Sequence, residues 1–234
     1  MIAISALHGA VGSPDDWTAL ESSLGWPMRK VNLWDSPQGL DLGAWGAHFC
    51  RTEKPGGLLL GYSLGARLAL HALLQAPDRW RAAVLLCPHP GLTSEAERRE
   101  RTAADGHWAH LARSLPWEEF LQTWNAQPVL GAMPVAQTQR GLESHRSEIA
   151  ASFDRWSLGR QRDLRAELSK IQVPVLWLTG SRDEKFTRLA AGCCEWLAQC
   201  RHRVIPNAGH RLHLEASDEV AAEMKRFAQD LLRH

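Results

Sequence analysis

The sequence has almost no net charge and no long hydrophobic run. Its 234 residues contain 27 lysines and arginines against 26 aspartates and glutamates. Neither sign forms a long block, so no nucleic acid is indicated as a partner. No apolar stretch approaches the length of about 18 residues that a membrane-spanning helix needs, and the first residues enter a strand-like segment instead of a signal peptide. We therefore expect a cytoplasmic protein without a membrane span.

Cysteine and tyrosine are also scarce. The five cysteines are odd in number and form no Cys-x-x-Cys pair, so we interpret them as reduced thiols and not as disulfides or zinc ligands. His210 and His213 lie close in sequence, but no further ligand cluster accompanies them, and we expect no metal. Tyrosine occurs once and tryptophan 11 times, which suggests a tryptophan-rich core and pocket.

Short apolar runs alternate with helical patterns along most of the chain. The runs predict strands at residues 1–7, 29–33, 58–62, 82–87, 173–179 and 203–205. The segments between them include predicted helices at residues 15–24, 40–50, 64–76, 186–200 and 217–232. This alternation is typical of an α/β protein with a mostly parallel, doubly wound sheet.

The strand signal is absent from residues 93–165. Ser94-Glu95-Ala96-Glu97 has the pattern of a capping box that opens a helix, and Pro116 suits the first turn of another helix. Ligands of open α/β sheets bind beyond the carboxyl ends of the strands. We therefore predict a core of residues 1–92 and 166–234, with a helical lid of residues 93–165 inserted between two strands.

The motif Gly61-Tyr62-Ser63-Leu64-Gly65 lies where a buried strand gives way to a helix. A Gly-x-Ser-x-Gly turn at such a junction exposes the serine hydroxyl, because neighbours without side chains allow strand and helix to crowd together. This predicts a nucleophile elbow with Ser63 at its tip.

Ser63, Asp183 and His210 each follow a predicted strand, in the chain order of an α/β-hydrolase triad. His210 would accept the Ser63 proton, since imidazole titrates near neutral pH, and Asp183 would orient the imidazole. Taken singly, each residue also has an ordinary role as a helix cap, a turn former or an exposed side chain. His213 and Glu184 are the local alternatives to the base and its orienting group.

A glycine-containing turn follows the first predicted strand. In His8-Gly9-Ala10-Val11-Gly12 the glycines let backbone N–H groups turn inward. We predict an oxyanion hole from the N–H groups of Ala10 and Leu64.

Segments along nearly the whole chain resemble the α/β-hydrolase superfamily, and within it the 2-succinyl-6-hydroxy-2,4-cyclohexadiene-1-carboxylate synthases of menaquinone biosynthesis. The matching segments are Leu7-His8-Gly9 with Gly12 and Trp17, Gly61 to Gly65 with Arg67, His89-Pro90-Gly91-Leu92, Phe120-Leu121 to Trp124 with Gln127-Pro128, Leu158-Gly159-Arg160-Gln161 with Leu164, Gly180 with Asp183 and Lys185-Phe186, and Ala208-Gly209-His210. Ala66, in place of a second glycine, and the absence of a Pro-Gly-His-Gly run near Asp35 depart from the superfamily pattern.

The resemblance implies a lyase that uses the triad to remove a proton and eliminates pyruvate from a small polycarboxylate substrate, without a cofactor. It places substrate-binding roles on Tyr62, Arg67, Arg101, Trp124 and Arg146. Arg98, Arg99 and Arg140 are alternatives if the register of the lid differs. We expect a monomer or a weak homo-oligomer.

Two other functions stay open from the sequence. The first is a small-molecule carboxylester or thioester hydrolase that forms an acyl-enzyme on Ser63. The second is a catalytically inactive binding module that keeps the fold, since a fold does not determine a function.

Overall fold

The computed structural model describes residues 3–131 and 133–232, and a six-stranded sheet runs through this part of the chain. Its strands are β1 (Ile4–Leu7), β2 (Met28–Val31), β3 (Leu58–Tyr62), β4 (Ala82–Leu86), β5 (Val175–Gly180) and β6 (Cys200–Ile205). The spatial order is β2-β1-β3-β4-β5-β6, and every neighbouring pair is parallel. The predicted doubly wound α/β sheet is confirmed. Residues 1 and 2 of the first predicted strand lie outside the described residues.

The helices cover both faces of this sheet. They are α1 (Thr18–Leu24), α2 (Leu42–Thr52), α3 (Leu64–Gln75), α4 (Glu95–Ser114), α5 (Trp117–Asn125), α6 (Gln137–Arg140), α7 (Arg146–Arg155), α8 (Glu184–Cys194), α9 (Leu212–Glu215) and α10 (Ser217–Leu231). Alternate strand residues enter two different apolar clusters: Leu59 packs with α2 and α3, whereas Leu58 and Leu60 pack with α1 and α10. Burial on both faces explains why β3 and β4 read as continuous apolar runs.

Residues 93–165 contain helices α4 to α7, which lie between β4 and β5 in the chain. Ser94 caps α4 as predicted, because its hydroxyl accepts a hydrogen bond from the Glu97 N–H at 3.4 Å. α5 follows directly after Pro116. No helix in residues 3–131 or 133–232 combines the length and hydrophobicity that crossing a membrane requires.

The prediction that the helix at residues 186–200 continues to residue 200 is wrong. α8 ends at Cys194, and β6 begins already at Cys200, where it pairs with Val175 of β5. The five-residue turn brings the Cα atoms of Cys194 and Cys200 to 5.3 Å, and a disulfide joins the two residues. This corrects the expectation that all five cysteines are reduced thiols; Cys50, Cys87 and Cys193 are free and buried.

Tryptophan supplies much of the core volume, as expected. Trp17, Trp34, Trp45, Trp156 and Trp177 are among the largest fully buried side chains. They belong to clusters on both sides of the sheet.

Gly46 sets how closely α2 approaches α3, and a substitution there tests this packing. A Cβ at Gly46 would lie 2.9 Å from the carbonyl carbon of His71 and 3.0 Å from the Ala72 nitrogen. We expect Gly46→Ala to lower the free energy of unfolding by about 1–3 kcal/mol, because backbone has to move. Gly43→Ala in the same helix is the control: its nearest neighbour would be Asp41 Oδ1 at 3.5 Å.

Urea unfolding of both variants measures the difference. Alanine has the higher helix propensity by about 1 kcal/mol, so Gly43→Ala should be neutral or stabilising. Equal stability of the two variants would show that the helices can separate at little cost.

Candidate active site

Ser63 lies on a strained turn between β3 and α3. Its backbone has φ 50° and ψ −108°, a conformation that costs a non-glycine residue about 1–3 kcal/mol and is concentrated at functional sites. A Cβ at Gly61 would lie 2.7 Å from Ala66 Cα, and one at Gly65 would overlap the carbonyl oxygen of Leu7. Both glycines of the motif are therefore required by close backbone approach.

The structure brings Ser63, His210 and Asp183 together in one hydrogen-bonded chain. His210 Nε2 lies 3.1 Å from Ser63 Oγ, and His210 Nδ1 lies 2.7 Å from Asp183 Oδ2. Asp183 and His210 are buried. The three residues follow β3, β5 and β6, so the carboxyl ends of three parallel strands place them at the same edge of the sheet.

Asp183 is held from two sides. It caps α8, where Oδ1 accepts a hydrogen bond from the Phe186 N–H at 3.4 Å, and Oδ2 faces His210. An ionised carboxylate only accepts hydrogen bonds, so His210 carries its proton on Nδ1 and leaves Nε2 to accept from Ser63.

The two alternatives considered for the base and its orienting group lie elsewhere. His213 is fully buried, with its ring centroid 4.2 Å from that of Tyr62 and 4.9 Å from that of Trp17. Its ring nitrogens have no hydrogen-bond partner among the described residues. Glu184 is exposed at the surface, and its Oε2 lies 3.7 Å from Arg188 Nη1.

Cys87 lies close to Asp183 and His210. One ligand atom each of Cys87, Asp183 and His210 lies within 4.8 Å of the others, a grouping that could suggest a metal. Two ligands of a tetrahedral zinc ion would be about 3.3 Å apart, whereas the Asp183 and His210 atoms are 2.7 Å apart. These two atoms share a hydrogen bond, which accounts for their close approach.

A cavity of about 370 Å³ opens next to the Ser63 hydroxyl, and we call it the Ser63 cavity. All the proposed oxyanion and substrate-binding residues except one line this cavity. Those that line it are Ala10, Tyr62, Leu64, Arg67, Arg101 and Trp124. The remaining prediction, Arg146, does not contribute to its lining.

The backbone around the predicted oxyanion hole is fixed by a buried histidine. His8 Nδ1 lies 2.9 Å from the Gly9 carbonyl oxygen, and His8 Nε2 accepts the Leu33 N–H at 3.0 Å. Ala10 follows in this turn. Leu64 is the first residue of α3, and the N–H groups of a first helical turn have no acceptor within their helix.

Arg67 is the most buried cation of the Ser63 cavity. Its Nε donates to Gln161 Oε1 at 2.5 Å, and its Nη2 donates to the Trp156 carbonyl oxygen at 2.8 Å. Burial, and then the nearby Arg101, lower the pKa of Arg67 to about 9. Arg67 therefore stays cationic at neutral pH.

Arg101 reaches the same cavity from α4. Its Nε donates to Asp105 Oδ1 at 2.9 Å, one helical turn further along. Asp105 is buried and also accepts from the Ser157 hydroxyl at 2.7 Å. This pairing fixes Arg101 on the wall of the cavity.

Arg146 does not line the Ser63 cavity, so its predicted place beside the substrate stays a prediction. Its Nε donates to the Ala112 carbonyl oxygen at 2.5 Å, and its Nη2 donates to the Leu115 carbonyl oxygen. The last carbonyls of a helix lack partners within that helix, so Arg146 satisfies the end of α4. Nor do the alternatives line the Ser63 cavity: Arg98 donates to the Gln161 carbonyl, while Arg99 pairs with Glu95 and Arg140 with Glu118.

Three residues of the site were missed from the sequence. Lys185 and His89 line the Ser63 cavity, and Gln161 holds Arg67. All three occur in the segments that carry the family resemblance, and Lys185 and His89 also lie in segments that follow strands. The location of Lys185 and His89 in segments that follow strands was the signal that could have identified them.

Four histidines at or behind the site are buried in their neutral form. Burial is the main cause that lowers the pKa of His8 and His71 to about 4 and that of His89 and His213 to about 3. Their ordinary value is 6.5. A group whose pKa is lower in the folded state stabilises the fold above its unfolded pKa, and this stability is lost as pH falls from 6.5 toward 3.

His213→Leu tests this linkage at a position with no hydrogen bond to lose. Between pH 7 and pH 5 the wild-type protein should lose about 2 kcal/mol of unfolding free energy through His213 alone. The loss in the variant should be smaller than the loss in the wild type by this amount. Urea unfolding at the two pH values measures the difference, with His110→Leu, on the exposed surface of α4, as control. Equal losses in wild type and His213→Leu would mean that His213 is not held neutral.

Comparisons with known proteins show the fold family of this chain. Residues 54–217 match the family model described as alpha/beta hydrolase fold. Proteins named 2-succinyl-6-hydroxy-2,4-cyclohexadiene-1-carboxylate synthase from Salmonella newport and Salmonella heidelberg are 40% identical over 162 residues. The match covers 67% of this chain but only 62% of each relative.

Solved structures share the fold over nearly the whole chain. MenH from S. aureus has a TM-score of 0.86 and 21% identity, covering 99% of this chain and 94% of its own. A Thermogutta terrifontis esterase has a TM-score of 0.73 and 18% identity, covering 99% and 90%. Because the family model spans well over half of the sequence, this chain belongs to the alpha/beta hydrolase fold family.

Proposed function

We propose that the protein is a lyase that eliminates pyruvate from 2-succinyl-5-enolpyruvyl-6-hydroxy-3-cyclohexene-1-carboxylate, giving 2-succinyl-6-hydroxy-2,4-cyclohexadiene-1-carboxylate. The names of the Salmonella relatives support this reaction. The observation that carries it for this chain is the convergence of Arg67, Arg101 and Lys185 on the cavity that contains Ser63. Three cations suit a substrate with several carboxylates.

In the proposed reaction Ser63 acts as the proton-abstracting group. His210 takes the hydroxyl proton through Nε2, and Asp183 stabilises the imidazolium that forms. The Ser63 alkoxide removes the proton from ring carbon C2, and the electron pair left on C2 forms the C2–C3 double bond. The existing C3–C4 double bond shifts to C4–C5 as the bond from C5 to the enolpyruvyl oxygen breaks, and the proton held by His210 Nε2 is then available to the leaving enolpyruvate. The released enolpyruvate takes up a proton and becomes pyruvate, so neither a redox step nor a cofactor is required.

Negative charge that develops on a substrate carbonyl would lie near the start of α3. The N–H groups of Leu64 and Ala10 are the proposed donors there, and the positive end of the α3 dipole adds to their effect. Tyr62 and Trp124 would enclose the substrate with apolar surface. Trp124 is largely buried against Trp108 and Phe153, with ring centroids 5.0 Å and 5.2 Å away.

We also propose that the insertion, residues 93–165, acts as a lid over a core of residues 1–92 and 166–234. Arg101, Trp108, Trp124 and Phe153 all belong to it and line the Ser63 cavity. A lid that supplies both a cation and apolar walls would exclude water from the reacting carbon.

Ser63→Ala should reduce pyruvate release by at least about a thousandfold, because it removes the proposed base. Release is measured by coupling pyruvate to lactate dehydrogenase and following NADH oxidation. Ser147→Ala, an exposed serine of α7, is the matched control and should keep wild-type activity. A Ser63→Ala protein that eliminates pyruvate at the normal rate would refute the role given to Ser63.

Arg101→Gln should raise KM about tenfold or more with a smaller effect on kcat, since a charged hydrogen bond to a carboxylate is lost. Arg67→Ala should act in the same direction, but it also breaks the contacts with Gln161 and Trp156, so its thermal stability is measured in parallel. Arg188→Gln, on the exposed surface of α8, is the charge-matched control. Unchanged KM in Arg101→Gln would remove Arg101 from the substrate site.

A carboxylester hydrolase is the second candidate, because the Ser63 hydroxyl lies within hydrogen-bond distance of His210 Nε2, as an acyl-enzyme mechanism requires. Short p-nitrophenyl esters distinguish the two. A burst of nitrophenol without pyruvate elimination would favour the hydrolase. A protein that neither releases pyruvate nor reacts with a fluorophosphonate at Ser63 would be a binding module.

A further inference from the structure

A second and larger concave site lies on the other side of the Arg67–Gln161 contact. This open cleft of about 950 Å³ is lined by the start of α2, by one face each of α3 and α4, and by residues 155 and 159–162. Gln161 lines the cleft, and its Oε1 binds Arg67, which lines the Ser63 cavity. We call it the arginine cleft.

Arginine dominates its charge. The five arginines of the lining are Arg98, Arg99, Arg155, Arg160 and Arg162, against the carboxylates Asp41 and Glu95. Asp41 is engaged as the cap of α2, where Oδ1 accepts the Ala44 N–H at 2.8 Å. Glu95 lies 3.5 Å from Arg99. The cleft therefore keeps an excess of positive charge, although the whole chain has a net charge of only +1.

Three of these guanidinium groups lack a carboxylate partner within the part of the chain that the structure describes. Arg98 is one of them, and its Nη2 donates to the Gln161 carbonyl oxygen instead. Arg162 pairs with Glu167 outside the cleft. Arg155 and Arg160, in contrast, form no ion pair with any residue in 3–131 or 133–232. Arg155 packs over the Trp156 ring, 4.3 Å from its centroid, which holds the guanidinium plane in place.

Polar atoms at the cleft wall are buried without partners. His71 is only 3% exposed, and neither of its ring nitrogens has a hydrogen-bond partner in the described structure. The same holds for Nε and Nη2 of Arg155 and for Nε of Arg98. Each unsatisfied buried polar group costs about 1–3 kcal/mol, and hydrogen bonds to a ligand in the cleft would offset part of this cost.

We propose that the arginine cleft is a second binding site, which takes a small polyanion with at least two carboxylate or phosphate groups. Planar guanidinium forks match the oxygens of both groups. The free cations Arg155 and Arg160 supply two separate anchors, and His71 adds a buried N–H donor. Gly39 and Gly43 contribute no side chains to the lining, which leaves room for the ligand. The proposal is independent of the reaction at Ser63.

Isothermal titration calorimetry of the full chain at low ionic strength tests this site. Citrate and inorganic pyrophosphate are the probes for the carboxylate and phosphate classes, and we expect at least one to bind saturably. Arg160→Gln, an exposed substitution that should not disturb folding, is expected to weaken binding several-fold. The double variant Arg155→Gln/Arg160→Gln should weaken it at least about tenfold.

Two control variants separate this site from other sources of binding. Arg101→Gln in the Ser63 cavity and Arg188→Gln on α8 should leave the affinity within about twofold of wild type. Loss of binding in Arg101→Gln but not in Arg160→Gln would assign the ligand to the Ser63 cavity and overturn the proposal. Equal weakening by Arg188→Gln would show unspecific charge attraction, and absence of binding by both probes would also overturn it.

Discussion

The close approach of α3 to the carboxyl ends of β1 and β3 is the constraint on which the rest of the site depends. Gly65 packs so tightly on the end of β1 that even a methyl group would overlap the Leu7 carbonyl. The turn that makes this contact possible holds Ser63 at φ 50°. A Cβ at Gly65 would also lie 2.5 Å from the His8 carbonyl oxygen, at the start of the turn that contains Ala10, and Ala10 and Leu64 both line the Ser63 cavity. One packing requirement thus positions the hydroxyl and both proposed oxyanion donors.

The parallel sheet supplies the other two members of the hydrogen-bonded chain. Because β3, β5 and β6 all run in the same direction, the residues that follow them meet at one edge although Ser63 and His210 are 147 positions apart. Asp183 is fixed at the start of α8 by its own capping hydrogen bond. The chain from Asp183 to Ser63 is therefore organised by backbone elements and does not rely on flexible side chains.

Local sequence chemistry predicted the parts of the molecule that depend on local rules. A few neighbouring residues are enough to predict these parts. Examples are the Ser63 turn with Gly61 and Gly65, the Ser94 cap and the apolar strand runs. The end of α8 could not be read in this way, because β6 starts at Cys200 through pairing with β5, a contact between segments distant in sequence.

The lid arginines illustrate a further limit of the sequence. Arg101 and Arg146 were equivalent in the sequence, both placed by resemblance alone. The structure separates them: Arg101 is held on the cavity wall by Asp105, whereas Arg146 satisfies the carbonyls of Ala112 and Leu115. Which hydrogen-bond acceptors remain free near a guanidinium depends on helix ends and packing, and these appear only in three dimensions. The division into core and lid also stays a prediction.

Arg67 links α3 to the segment after α7 at the site. A buried guanidinium needs hydrogen-bond acceptors, because an unpaired buried charge is strongly destabilising. Arg67 belongs to α3, but its acceptors, Gln161 Oε1 and the Trp156 carbonyl, lie in the segment between α7 and β5. Gln161 in turn donates to the His89 carbonyl at 2.8 Å, at the end of β4. The segment that carries Trp156 and Gln161 therefore cannot move far from the Ser63 cavity without leaving Arg67 unpaired, so the charge offered to a ligand and the position of this segment depend on each other.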